Sequence, residues 1–247
     1  MDTITDKFGL KWVLKPDWDN DIVRCVGQGG VYEGGMFKFV REVYPKLDAD
    51  FFDIGAAFGY FTVHASKVAP ETRTVYAFEP HPDHYTSLQQ NIFYNDCKNA
   101  IAMNIALFDR VDELEVNNFK RDAGVCLNET TGDYPKVKVK TQLLSVYEQN
   151  VPRVLKMDTE MTEFDILLGS PDFVRSDLTR AIAIEFVAQT NYRLNIYNFL
   201  KPYFPYIYVL DEDCGKIIIP STFREFLPQD ILLPTPMNVV FMKEQMP

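Results

Sequence analysis

The pattern of apolar and polar positions predicts strands that alternate with helices along most of the chain. Short apolar runs, typical of strands buried on both faces, occupy 50–53, 74–78, 100–108, 153–158 and 180–186. Helical periodicity lies between and after them, at 59–70, 80–96 (with Asp83 as the expected N-cap), 162–170 and 191–204, and two closing strands are predicted at 206–211 and 237–243. We therefore predict an α/β fold with a doubly wound, mostly parallel seven-stranded sheet.

Two segments depart from this alternation. We predict that residues 1–47 form an N-terminal lead-in segment that packs on the core at 48–247, so that the chain is effectively one domain. The lead-in alternates like a strand at 8–15 and then predicts a helix from Glu33 to Tyr44, closed by Pro45. The second departure, at 113–140, alternates like a β-hairpin inserted around a polar loop at 121–135.

Charge and cysteine content narrow the classes of partner and compartment. The 35 acidic residues exceed the 25 Lys and Arg residues and give a net charge of −10, which disfavours nucleic acid and anionic membranes as partners. No apolar run approaches the ~20 residues that span a bilayer, and the N-terminus predicts no export signal. The four cysteines are far apart, so we expect a cytoplasmic protein without disulfides or a zinc site; the oligomeric state stays open.

Candidate chemistry concentrates in the segment DIGAAFGYFT at 53–62 and in FEP at 78–80. Asp53 ends the first core strand, Gly55 and Gly59 flank the following turn, and Glu79 ends the second strand. Glycines let a ligand approach the backbone, and an acid at the end of the second strand can accept hydrogen bonds from ribose hydroxyls. The turn has the pattern GxxxG, whereas a dinucleotide site needs GxGxxG for its pyrophosphate. This difference favours S-adenosylmethionine, whose positive charges suit Asp53, although ordinary turn chemistry with solvated acids stays an alternative.

Polar residues also follow the other predicted core strands. Asn104, Asp158 and Glu185 lie at or near strand ends. Ligands of doubly wound folds bind outside the carboxyl ends of the strands, so these residues are expected to converge with Asp53 and Glu79 on one site.

Five ordered motifs resemble the FkbM family of class I S-adenosylmethionine-dependent methyltransferases. The resemblance covers roughly residues 31–185 and rests on GVYE (30–33), DIGAAFGYFT (53–62), AFEPHPDHYTSLQQNIFYN (77–95), NIALFD (104–109) and KMDTEMTEFDILLG (156–169). It implies O-methylation of a hydroxyl on a small molecule or sugar. N-methylation and methylation of a carboxyl group stay open as alternatives.

The resemblance also implies a set of cofactor-binding residues. Glu79 is expected to bind the ribose, and Asp53, Gly55 and Gly59 the methionine end. Pro80 and His81 are expected to wall the adenine, with a general-base role for His81 as the alternative; His64 and His84 are assigned structural or exposed roles. The remaining members of the predicted cofactor set are Glu33, Ala57, Phe58, Tyr60, Asn104 and Ala106.

The candidate catalytic residues are Asp158, Glu160 and Glu185. Asp158 or Glu160 would act as the base or hydroxyl clamp, with Glu185 assisting. A second interpretation gathers these carboxylates around a divalent cation, and a third makes them helix caps and solvated acids. The metal is not favoured, so S-adenosylmethionine is the predicted cofactor.

Two residues depart from the family pattern. Ala57 stands where the family commonly has Asn, and Met161 where it commonly has Gly. These departures keep open a non-catalytic cofactor-binding protein of the same fold. A nicotinamide-dependent oxidoreductase is a less favoured alternative, because the chain lacks GxGxxG at this turn.

Overall fold

The computed structural model describes residues 3–13, 25–119, 124–126, 135–210 and 223–247. In chain order its strands are β1 (Thr3–Thr5), β2 (Lys11–Val13), β3 (Asp50–Ile54), β4 (Val75–Phe78), β5 (Ala100–Met103), β6 (Ala106–Leu107), β7 (Asp112–Phe119), β8 (Gly124–Cys126), β9 (Lys136–Gln142), β10 (Arg153–Met157), β11 (Thr179–Phe186), β12 (Tyr206–Leu210), β13 (Arg224–Glu225) and β14 (Met237–Met242). Its α-helices are α1 (Gly34–Lys38), α2 (Tyr60–Val68), α3 (Pro82–Tyr94), α4 (Glu163–Gly169), α5 (Pro171–Arg175) and α6 (Thr190–Leu200).

The central sheet has the strand order β13-β12-β14-β11-β10-β3-β4-β5. The five strands from β11 to β5 are parallel to one another, and β14 runs antiparallel between β11 and β12. This arrangement confirms the predicted doubly wound α/β sheet, with the two-residue β13 added at one edge. Every residue of β3, β4 and β10 is buried, as expected for strands covered on both faces.

The order of the parallel strands determines where a ligand can bind. The chain runs outward from β3 through β4 to β5 and then returns to the other side of β3 as β10. The order of strands therefore reverses between β3 and β10, and a crevice opens there at the carboxyl ends of the strands.

The lead-in is helical over a longer range than the sequence predicts. α1 continues into a π-helix at Phe39–Val43 and a 3₁₀-helix at Tyr44–Leu47, so the segment does not end at Tyr44. Pro45 lies in the first turn of the 3₁₀-helix, where its missing N–H costs no hydrogen bond. Side chains of this segment, among them Met36 and Phe39, share a hydrophobic cluster with Phe51 of β3 and Val63 of α2.

The apolar run at 100–108 forms two strands in different sheets rather than one. β5 is the edge of the central sheet, whereas β6 pairs with β9 in a second sheet of order β6-β9-β7-β8. The predicted hairpin is present as the antiparallel pair β7 and β9. Most of the polar loop predicted at 121–135 lies outside the described residues, as does 211–222. No helix in the described ranges is long and apolar enough to cross a membrane.

Candidate active site

A cavity of about 190 Å³ lies at the carboxyl ends of β3, β4, β10 and β11. The strand-end residues Glu79, Asp158 and Glu185 all line it, together with the turn that follows β3. The lead-in covers one side through Tyr32 and Glu33. The predicted convergence is therefore present for these three strand-end residues, but not for Asp53 and Asn104, which do not line the cavity.

Glu79 is held in a fixed orientation at the end of β4. Its side chain is 5% exposed, and its two carboxylate oxygens accept hydrogen bonds from the backbone N–H groups of Ala57 and His81, both at 2.8 Å. Burial raises the pKa of Glu79 to about 7, and the two N–H donors oppose that rise. The carboxyl group therefore lines the cavity as a preorganised hydrogen-bond acceptor.

The backbone conformation and packing of the turn after β3 require glycine at positions 55 and 59. Gly55 has φ +78°, and a Cβ atom built on it would lie 1.8 Å from the carbonyl oxygen of Asp158. Gly59 has φ +90°, and its Cβ would lie 2.5 Å from Leu88 Cδ1. Ala57, between them, also has a positive φ of 48°, and this conformation turns its N–H towards Glu79. Gly55 and Ala57 line the cavity, whereas Gly59 packs behind it on α3.

Asp53 does not line the cavity. It is fully buried, and its carboxylate lies 3.2 Å from the Lys156 ammonium and accepts a hydrogen bond from the Thr62 hydroxyl at 2.6 Å. Lys156 lines the cavity instead; it donates to the Gly55 carbonyl at 3.1 Å and lies 3.5 Å from the Asp158 carboxylate. Burial disfavours its charge, but Asp53 and Asp158 outweigh that effect and raise the pKa of Lys156. Lys156 thus joins the ends of β3 and β10.

Four further carboxyl groups line the cavity: Glu33, Asp158, Glu160 and Glu185. Burial and the negative charges of Asp158 and Glu33 raise the pKa of Glu185 to about 9. Glu185 therefore carries a proton at neutral pH and is a hydrogen-bond donor rather than a free base. Glu33 accepts a hydrogen bond from the Asn238 side chain at 3.2 Å. Among the residues that the structure describes, no three His, Cys, Asp or Glu side chains are grouped so that they could hold a metal ion.

Two further predicted residues support the cavity without lining it. His81, rather than the predicted Asp83, is the N-cap of α3, because its Nδ1 accepts hydrogen bonds from the N–H groups of Asp83 and His84. The Asn104 side chain donates to the carbonyl oxygens of Glu79 and Pro80 at 2.9 and 3.0 Å. It therefore fixes the turn that presents Glu79. The other predicted cofactor residues, Phe58, Tyr60, Pro80 and Ala106, line the cavity.

Lys156, Glu163 and His84 contribute to the site, although the sequence alone does not predict these roles. Lys156 and Glu163 both lie within the family-like motif KMDTEMTEFDILLG at 156–169. The resemblance to the family therefore indicates that both residues lie near the site. The prediction of a structural or exposed role for His84 is wrong, because His84 lines the cavity with its Nδ1 3.9 Å from the Glu79 carboxylate. His64 is fully buried among Phe8, Phe37 and other aromatic rings, away from the cavity.

Comparisons with known proteins agree with this geometry. The family model described as methyltransferase FkbM domain matches residues 53–218, more than half of the chain. The structure is similar to methyltransferase FkbM from Methylobacillus flagellatus KT, with a TM-score of 0.52 and 16% identity over 91% of this chain and 60% of that one. It is also similar to a proposed rRNA methylase from Clostridium thermocellum, with a TM-score of 0.51 and 10% identity over 87% of this chain and 96% of that one.

These structural similarities show the fold, and the chain spans 60% of the length of the Methylobacillus protein. No curated protein is significantly similar to it in sequence. The family match includes the glycine-flanked turn, Glu79 and the three acids at the ends of β10 and β11. The chain belongs to the methyltransferase FkbM domain family.

Proposed function

We propose that this protein transfers a methyl group from S-adenosylmethionine to a hydroxyl oxygen of a small molecule or sugar. The observation that supports this proposal most is that Glu79 lines the same cavity as Asp158, Glu160 and Glu185. A cofactor whose ribose binds Glu79 and a methyl acceptor that contacts the other three acids could therefore bind side by side in this cavity.

The residues present fit the cofactor. The Glu79 carboxyl group is fixed by two backbone N–H donors, and each of its oxygens keeps a lone pair that can accept from a ribose hydroxyl. Gly55 lines the cavity, and its missing side chain lets the Asp158 carbonyl approach the turn, which brings the end of β10 close to the cofactor site. Asp158 supplies negative charge for the sulfonium and amino groups.

When bound, S-adenosylmethionine supplies an electrophilic methyl group on a positively charged sulfur. The acids at the ends of β10 and β11 would orient the acceptor and take up its proton. Asp158 or Glu160 is the proposed proton acceptor, and protonated Glu185 is the proposed hydrogen-bond donor to an acceptor oxygen. Holding the acceptor oxygen in line with the methyl group supplies most of the rate in such a reaction.

The proposed acceptor is small or carbohydrate rather than nucleic acid. Support comes from the net charge of −10 and from the acids that line the cavity, which repel phosphate groups. The proposed compartment is the cytoplasm, supported by the wide spacing of the four cysteines along the chain.

A non-catalytic cofactor-binding protein is the second candidate. It is favoured by Met161, which has φ +72° beside the candidate catalytic acid Glu160, where the family commonly has Gly. N-methylation and methylation of a carboxyl group are further alternatives for the acceptor atom. These candidates share the cofactor site and differ in the product.

Calorimetry with S-adenosylhomocysteine tests the cofactor site. We expect saturable binding that Glu79→Ala weakens more than tenfold, whereas Glu71→Ala, at an exposed position, leaves it unchanged. Equal affinity in a folded Glu79→Ala protein would contradict the proposed site. Mass spectrometry of cell extracts incubated with methyl-labelled cofactor then tests transfer: a labelled ether supports O-methylation, a labelled amine or ester supports the alternatives, and binding without any labelled product supports the non-catalytic protein.

A further inference from the structure

Two consecutive residues after β10 adopt the left-handed backbone conformation. Glu160 has φ 54° and Met161 has φ 72°. For a residue with a side chain this conformation is strained, and it persists only where the surrounding structure enforces it. Glu160 lines the cavity, so the strain lies directly beside the proposed reaction centre.

The buried carboxyl group of Glu163 joins the two ends of this segment by hydrogen bonds. Glu163 is fully buried, and its Oε1 accepts hydrogen bonds from the backbone N–H of Thr159 at 2.7 Å and from its hydroxyl at 3.0 Å. The Thr162 hydroxyl donates to the Thr159 carbonyl at 3.0 Å. The two left-handed residues are therefore enclosed in a short loop whose ends are joined through Glu163.

Helix α6 supports the same loop from outside. The Tyr192 hydroxyl donates to Glu163 Oε2 and accepts from the backbone N–H of Phe164 at 3.2 Å. Gln189, which precedes α6, places its side-chain nitrogen 3.3 Å from the Met161 sulfur. Burial raises the pKa of Glu163, and the hydrogen bonds from Tyr192 and Thr159 oppose this rise by favouring the ionised form.

The other side of the loop forms part of the cavity wall. Asp158, Thr159 and Glu160 all line the cavity, and the Asp158 N–H donates to the carbonyl of Ile54 at 3.1 Å. One end of the segment is thus fixed to β3 and the other to Glu163. The conformation of the segment between these two anchors therefore sets the orientation of Glu160.

We propose that Glu163 and Tyr192 are positioning residues, which hold the strained Glu160–Met161 segment so that Glu160 faces the acceptor side of the cavity. The inference rests on the proposed methyl transfer. It assigns a role to two residues that do not line the cavity themselves and links the start of α6 to the geometry of the reaction centre.

The test compares two tyrosines of α6. Tyr192→Phe removes the hydroxyl that donates to Glu163, whereas Tyr197→Phe, in the same helix, removes a hydroxyl from a ring that stacks on Phe226. In Tyr192→Phe we expect methyl transfer from labelled S-adenosylmethionine to acceptors in a cell extract to fall about tenfold or more. The dissociation constant of S-adenosylhomocysteine should stay within about twofold, because Glu79 and the glycine turn are untouched. Tyr197→Phe should match the wild type in both measurements.

Two rescue variants separate positioning from general loss of structure. Adding Met161→Gly to Tyr192→Phe should restore most of the transfer rate, because glycine adopts the left-handed conformation without strain. Glu163→Gln keeps an oxygen that accepts from Thr159 and an N–H₂ group that donates to the Tyr192 oxygen, so it should retain most activity. Normal transfer by Tyr192→Phe, or a failure of Met161→Gly to restore it, would overturn the proposal.

A second readout does not depend on transfer. The charge of Glu160 contributes to the raised pKa of Glu185, so displacement of Glu160 in Tyr192→Phe should lower the pKa of Glu185, measured by NMR of ¹³C-labelled glutamate carboxyls. Met161→Gly should restore it. If the wild type transfers no methyl group, the proposed function fails, and this titration alone decides the positioning role: an unchanged pKa of Glu185 in Tyr192→Phe would refute it.

Discussion

The Glu79 carboxylate and the backbone N–H of Ala57 are joined by a hydrogen bond of 2.8 Å, although Ala57 must adopt a left-handed conformation to donate it. The bond links the turn after β3 to the acid after β4, which are separate in sequence and adjacent in the cavity. The local strain at Ala57 therefore contributes directly to the orientation of Glu79.

Replacing Ala57 should relieve this strain. Asn and Gly both tolerate a positive φ, so we expect Ala57→Asn and Ala57→Gly to raise the free energy of unfolding by about 0.5–1 kcal/mol. The matched control is Ala56→Gly, at a neighbouring buried position without a positive φ, which should lower it. Urea unfolding of the three variants measures these changes. A loss of stability in Ala57→Gly would show that the Ala57 methyl group contributes more by packing than the backbone loses by strain.

Gly55→Ala should be far more damaging than an alanine at a comparable glycine. Gly9 has the same φ of +78° but no atom within 4 Å of the position that a Cβ would take, whereas at Gly55 that Cβ would lie 1.8 Å from the Asp158 carbonyl oxygen. Gly9→Ala measures the backbone cost alone, about 1 kcal/mol. Gly55→Ala must in addition displace the end of β10, so we expect it to lose at least ~2 kcal/mol more and to weaken S-adenosylhomocysteine binding about tenfold. Similar effects of both substitutions would show that the turn yields without disturbing Asp158.

Lys156→Met should destabilise the protein because it leaves Asp53 buried without its counter-charge. Removing one partner of a buried ion pair typically costs about 3–5 kcal/mol. The double variant with Asp53→Asn removes both charges and keeps an acceptor for the Thr62 hydroxyl, so it should recover most of that loss. Guanidinium unfolding of the two variants gives the comparison; equal stability of the single and double variants would show that Asp53 does not depend on Lys156 for its stability in the folded protein.

Stability should fall as the pH rises, in part because of Glu185. Its pKa is about 9 in the folded protein against an ordinary value of 4.5, so the folded state holds a proton that the unfolded state releases. The stabilisation is complete below about pH 4.5 and is lost progressively as the pH rises towards 9. Glu185→Gln cannot ionise, so its melting temperature should decline less over this range.

Thermal unfolding at intervals between pH 5 and pH 9 makes this measurement. Glu71→Gln, at an exposed position, serves as the control and should follow the wild type. A Glu185→Gln protein whose pH dependence equals that of the wild type would mean that Glu185 ionises at its ordinary pKa in the folded state.

The sequence is sufficient to predict the part of the site that is formed by residues at strand ends. Glu79, Asp158 and Glu185 were placed together because the carboxyl ends of parallel strands share one edge of the sheet, and the cavity lies there. Asp53 shows the limit of this reasoning. The role of a strand-end side chain depends on its neighbour across the sheet. Here that neighbour is Lys156, about a hundred residues later in the chain, whose ammonium group forms an ion pair with Asp53.

The remaining differences have similar physical causes. The sequence pattern favours Asp83 as the cap of α3, yet Pro82 occupies the first helical position, and that local signal indicates His81 as the cap. The run at 100–108 is apolar except for one residue, Asn104. It divides because Asn104 turns back to bind the carbonyls of Glu79 and Pro80, a contact between segments that periodicity does not contain.

The division of that run gives the two sheets a common border at the pocket. Ala106 and Leu107 line the cavity while they pair with Thr141 and Gln142 of β9, so one wall of the pocket belongs to the inserted sheet. Changes in the length or sequence of the insertion can therefore reshape this wall while the strand tips of the central sheet keep their geometry. The pocket can therefore diverge in evolution on the side of Ala106 and Leu107 while the central sheet is inherited unchanged.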